Sequence, residues 1–164
     1  MPPRDLDSEF DGESLYRALR PEWVDHETGL VRSSAITLPG CSFAREKYRT
    51  APAAMLAARP GYTHVASVGA DRLPKHVEGA PTSGLPVVAY DWVPVDDPLG
   101  DDDDGGPNDA HCQTYPCAVG GLLDRQLRVP STVERRLKRA LARSLTMIIG
   151  PAGDEARTVG PELL

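Results

Sequence analysis

A chain of 164 residues, 40% hydrophobic and 26% charged, suits one globular domain that can bury a core without disulfides or a structural metal. A formal net charge of −6 excludes a general attraction to nucleic acid, and no apolar run approaches the ~18–20 residues that cross a bilayer. Three cysteines without repeated spacing exclude a disulfide framework, and the acidic opening MPPRDLDSEFDGE is the opposite of a signal peptide, so reduced thiols and a cytoplasmic address are expected.

Residues 1–13 carry no hydrophobic pattern and are expected to be disordered, which places the domain at 14–150 and a flexible tail at 151–164. Residues 14–24, SLYRALRPEWV, read as a strand or a helical turn ended by Pro21. Residues 29–38, GLVRSSAITL, alternate and predict a strand closed by the turn pair Pro39-Gly40. Residues 42–49, SFAREKYR, read as a loop between that strand and a short helix over 50–61, where Thr50 can cap, Pro52 lies in the first turn and Pro60-Gly61 is the stop. The β-branched run 62–70 predicts a strand, ADRLPKH a helical turn, and 85–95 another strand in which Pro94 favours an edge or an end.

Like charges repel and Gly-Gly-Pro cannot hold a helix, so the acidic stretch 96–109 is expected to be a mobile surface loop; it lacks the ligand spacing of an EF-hand. Residues 110–119 form the last strand candidate. The clearest helix starts at Ser131, which makes a capping box with Glu134. Val133, Leu137, Ala140, Leu141, Leu145 and Ile148 recur at helical spacing, carrying the helix to about residue 148 before Gly150-Pro151. Together these elements predict an α+β fold: a small mixed or antiparallel sheet with a short helix and a long C-terminal amphipathic helix.

Chemistry concentrates in three places. His111 follows the acidic loop, and its ordinary pKa near ~6.5 suits a general acid or base. Gln113 and Tyr115 share its face of a strand and could bind substrate; the bland alternative is a half-buried strand histidine donating to a backbone carbonyl. Cys112 and Cys117 beside it leave a tetrahedral zinc site one ligand short, so no metal is expected. Arg45, Lys47 and Tyr48, with Ser33 and Ser34, form a polar, anion-attracting set that could hold phosphate or carboxylate. Arg135, Arg136, Arg139 and Arg143 form a basic helix face suited to a protein partner; nucleic acid is the lesser alternative, since few aromatics stand near. No Walker loop, G-x-G-x-x-G, H-E-x-x-H or G-x-S-x-G is present, so no cofactor is expected, and no membrane partner either.

The succession LYRALRPEWV, GLVRSSAITL, SFAREKYR, PGYTHVASV and NDAHCQTYPCAVGG resembles a group of small uncharacterised bacterial proteins. They share an L-Y-R…P opening, a Ser-Ser-Ala strand, an R-E-K-Y-like segment and a late Ala-His pair. The resemblance draws attention to Ser33, Ser34, Arg45, Lys47, Tyr48 and His111 and implies no particular activity. The L-Y-R opening before a Ser-rich strand is also similar to the start of some ADP-ribosyltransferase-like folds, in which such an arginine contacts NAD; no glutamate stands in the matching late position here. The leading expectation is an accessory or interaction protein of a bacterial multi-protein system. The alternatives are an enzyme on a nucleotide or phosphate-containing substrate, with His111 as acid/base, and a weak nucleic-acid binder.

Overall fold

The computed structural model describes residues 10, 12–46, 60–79, 87–97 and 111–149. Among the described residues, alternating burial and β-branched or aromatic residues give seven strands: β1 (Ser14–Leu19), β2 (Cys41–Arg45), β3 (His64–Gly69), β4 (Val77–Glu78), β5 (Ala89–Asp96), β6 (His111–Ala118) and β7 (Thr146–Ile149). They form one sheet in the order β4-β5-β6-β2-β1-β3-β7 with every pairing antiparallel. A single helix, α1 (Ser131–Ser144), completes the elements longer than one turn among the described residues.

Helix and sheet explain each other's shape. The start of α1 lies at the β4 margin, where Arg136 Nη1 bonds the Gly79 carbonyl at 3.5 Å and Val133 packs beside Gly79. Its other end runs through Leu145 directly into β7, the opposite margin. Fourteen residues reach about 20 Å, whereas six inter-strand gaps span about 29 Å in a flat sheet. The sheet therefore curls into a half-barrel with the helix as its chord. Leu15, Leu19, Phe43, Ala66, Trp92 and Cys112 face the helix and form the main core with Leu137 and Leu141. On the opposite face Ala18, Ala44 and Val65 form a smaller cluster with Tyr16, Tyr62 and Ile148.

Both strand prolines sit where the ladder makes no demand on an N–H. Pro94 lies beyond the stretch of β5 paired with β4, and Pro116 lies beyond the stretch of β6 paired with β2. Between β1 and β2, Asp25 Oδ1 accepts the N–H groups of Glu27 and Thr28, and Gly29 takes φ +73° to turn the chain back into the Val24–Val31 bridge.

The structure corrects the expected α+β arrangement at several points. Among the described residues it is a mostly antiparallel sheet with one 14-residue helix, Ser131–Ser144, and the long C-terminal helix is not formed. The apolar spacing that carries the helix to Ile148 continues in the sequence, but Thr146, Ile148 and Ile149 are β-branched and the segment pairs with β3 instead. The Ser131–Glu134 capping box does not form; Pro130 holds the cap position and no side chain caps the helix. Residues 29–38 are not a strand beyond the Val31 bridge, because Ser33–Ala35 makes a 3-10 turn whose Ala35 carbonyl is taken by an arginine. Part of the expected loop 42–49 is instead β2, at the centre of the sheet. The fold also begins before Ser14, since Phe10 and Glu13 are buried. The predicted helix 50–61 falls, up to residue 59, outside the described residues, as do 98–109 of the acidic loop and the tail.

Candidate functional site

On β6 the two-residue period divides the chemistry. Cys112 and Thr114 are fully buried on the helix side, and His111, Gln113 and Tyr115 point to the other face. The His111 Nδ1–H donates to the Asp97 carbonyl at 2.8 Å, and the Asp97 carboxylate Oδ2 lies 3.4 Å from the same nitrogen. A carbonyl only accepts, so the proton of a neutral ring resides on Nδ1 and the lone pair on Nε2. Sequence reasoning offered this carbonyl-bound state as the bland alternative to catalysis. It fixes the tautomer a general base needs, and the half-exposed carboxylate would steady the ring once it gains a proton. Cys112 takes no part: burial pushes its thiol well above the ordinary range, so it remains a protonated core side chain.

Arg45 does not join His111. Its guanidinium, 0% exposed, bonds both carboxylate oxygens of Glu13, Nε to Oε2 at 2.9 Å and Nη2 to Oε1 at 2.7 Å, and reaches Asp96 Oδ1 through Nη1 at 3.0 Å. The Phe10 ring lies 3.9 Å from its central carbon. Burial alone would weaken its hold on a proton; the hydrogen bonds and charges of Glu13 and Asp96 outweigh that and raise its pKa above the ordinary value. This arginine is committed to the interior, which removes it from the expected anion-binding set. Ser33 and Ser34 are exposed on their 3-10 turn, which packs against α1. Lys47 and Tyr48 lie outside the described residues. Of the expected anion cleft, the described members Ser33, Ser34 and Arg45 are thus not brought together.

The basic face does form. Arg135, Arg136, Arg139 and Arg143 are all exposed on α1, and Val133, Leu137 and Leu141 are buried beneath. Arg135, Arg139 and Arg143 follow one another at four-residue steps and make no ion pair among the described residues. Lys138 pairs instead with Glu134 at 2.9 Å.

Two constellations escaped sequence reasoning. Arg17, buried in β1, donates Nε and Nη2 to the Ala35 carbonyl at 2.9 and 2.6 Å and Nη1 to the Ser42 carbonyl at 2.7 Å, and stacks on Trp23 at 5.4 Å. These bonds tie it to the protein's own backbone, so it does not present itself to a dinucleotide. The signal was available: Leu15, Arg17 and Leu19 share one strand face, and a charge between two buried leucines must find internal partners. The second is His64, buried beside His26 with ring centroids 6.1 Å apart and Nδ1 2.7 Å from Thr63 Oγ1. Burial, and then the charge of His26, hold its imidazole below the ordinary range. Among the described residues no group of histidine, cysteine or acidic side chains is arranged to hold a metal, and no helix is long and apolar enough to cross a membrane. No known family, curated protein or solved structure matches this chain.

Proposed function

We propose that this chain is a small cytoplasmic accessory protein, in keeping with its resemblance to small bacterial proteins, that docks on an acidic protein partner through α1. The observation that carries the reading is the outward row Arg135, Arg139 and Arg143 on a chain of net charge −6. Like charges one turn apart cost a helix about 0.2–0.5 kcal/mol per pair, and no carboxylate among the described residues offsets them. Such a row steers an acidic surface toward one side of the molecule and disfavours basic partners.

A second reading has one observation in its favour, the Nδ1-protonated ring of His111 held by Asp97. It makes the chain an enzyme on a nucleotide or phosphate-containing substrate, with Nε2 as the base. It loses the anion clamp first assigned to Arg45. Nucleic-acid binding by the arginine row is the third reading, weakened by the acidic remainder of the chain.

The test is affinity capture of the tagged chain from its source cells, with and without nuclease, followed by native mass. A stoichiometric protein that survives nuclease, and is lost from the Arg135→Glu, Arg139→Glu double variant but not from His111→Gln, is the expected result. Retention by the double variant refutes the docking reading; release by nuclease moves it to nucleic acid.

A further inference from the structure

Where β1 gives way to the turn that carries Trp23, one arginine is held in place and left unused. Arg20 is exposed, and its guanidinium carbon lies 5.0 Å from the centroid of the Tyr62 ring and 5.8 Å from that of Trp23. The two rings meet edge to face, 6.4 Å apart at 62°, and form an angled seat beneath it. Buried Arg17 braces the same indole from within at 5.4 Å, its own donors committed to the Ala35 and Ser42 carbonyls. The Gly61 backbone, turned at φ +85°, passes alongside, where a Cβ would stand 3.6 Å from Arg20 Nη1.

An exposed arginine needs no explanation when a nearby acid pairs with it. Glu22 stands two positions on and Asp25 five, yet among the described residues the Arg20 guanidinium makes no hydrogen bond and no ion pair. The Asp25 carboxylate is taken by the N–H groups of Glu27 and Thr28 in its own turn. The Trp23 Nε1–H has no acceptor among the described residues either, and no side-chain polar atom there is buried without a partner, so this N–H opens to solvent. Guanidinium and indole N–H groups donate and cannot accept. Arg20 and Trp23 therefore present donors only.

A guanidinium lying over rings is held through its face, and its N–H edge stays free as a planar fork that matches two oxygens of one carboxylate or phosphate. Holding the fork in advance removes much of the freedom that a loose arginine loses on binding. We infer that Arg20, seated on Trp23 and Tyr62, is a binding site for an oxyanion group, the carboxylate or phosphate of a ligand. The site uses no residue of α1 and stands or falls independently of the docking reading.

Nuclear magnetic resonance of the isotope-labelled full chain tests the inference. Inorganic phosphate and acetate are each titrated against chloride at matched ionic strength and pH. The Arg20 Nε–H and Trp23 indole signals should shift and saturate with at least one of the two anions, whereas the Trp92 indole, bonded to the Leu137 carbonyl, stays in place. Saturation by phosphate alone supports the inference with a phosphate ligand, and by acetate alone with a carboxylate. Arg20→Lys keeps the charge and loses the fork, and should bind at least about tenfold more weakly. Arg20→Gln should abolish binding, with the Trp92 signal of each variant reporting an intact fold. Shifts that follow chloride without saturating, or wild-type affinity in either variant, overturn the inference.

Discussion

Replacing Arg45 by methionine tests the interior most directly. The substitution keeps much of the aliphatic volume and removes a guanidinium that satisfies both oxygens of Glu13 and one of Asp96. Glu13 and Asp96 side chains are only 6% and 7% exposed, so water cannot replace those bonds. Breaking a buried pair by removing one partner costs about 3–5 kcal/mol, and the stacking on Phe10 adds up to about 2. Against a total stability of roughly 5–15 kcal/mol, that is enough to bring the domain near unfolding. Urea denaturation followed by far-ultraviolet circular dichroism gives the number. The Glu13→Gln, Arg45→Met double variant should be clearly less unstable than the two single losses added together, because a neutral amide tolerates burial without its cation. An Arg45→Met loss under about 1 kcal/mol, or strict additivity in the cycle, would refute a stabilising buried cluster.

Two further perturbations probe the chord helix and the buried imidazole. Trp92→Phe removes the indole N–H that donates to the Leu137 carbonyl at 3.2 Å and leaves a small void beneath α1; a loss of about 1–3 kcal/mol in urea is expected, and an unchanged midpoint counts against that bond. His64 has a folded pKa below its unfolded value near ~6.5, so the unfolded chain takes up a proton that the folded chain refuses. Its contribution to stability is complete above about pH 6.5 and is lost as the pH falls through the window down to the lowered value. His64→Gln should flatten the fall in urea midpoint between neutral and mildly acidic pH; an unaltered pH dependence in the variant shows that other groups cause it.

Local pattern revealed β3, β5 and β6, because their β-branched or aromatic runs are half-buried in the way alternation reports. It also found the buried face of α1, where Val133, Leu137 and Leu141 keep a helical period. It failed where a distant partner decides. Residues 33–35 look like strand until Arg17, 18 positions upstream, takes the Ala35 carbonyl. Arg45 looks like an anion clamp because nothing nearby in the sequence announces Glu13 and Asp96, 32 and 51 positions away. The segment 146–149 satisfies two periods at once, and only β3 as a neighbour selects the extended one. The arginine row was legible because surface stripes follow from helical period alone.

The strand order also governs how the chain reaches this state. Strands β4, β5 and β6 form a meander, and β1 pairs with both β2 and β3 to make a second three-stranded group, each assembled from nearby segments. A single seam, β2 against β6, joins them, with Thr114 Oγ1 reaching the Cys41 carbonyl from 73 positions away and Arg45 clasping Asp96 across it. Closing so large a loop lowers the chance of encounter long before contacts reward it, which slows folding into the millisecond-to-second range. On a ribosome the group of β1, β2 and β3 waits, the β2 edge bare, until β6 has emerged. That interval is when the nascent chain is most open to mispairing with a neighbour.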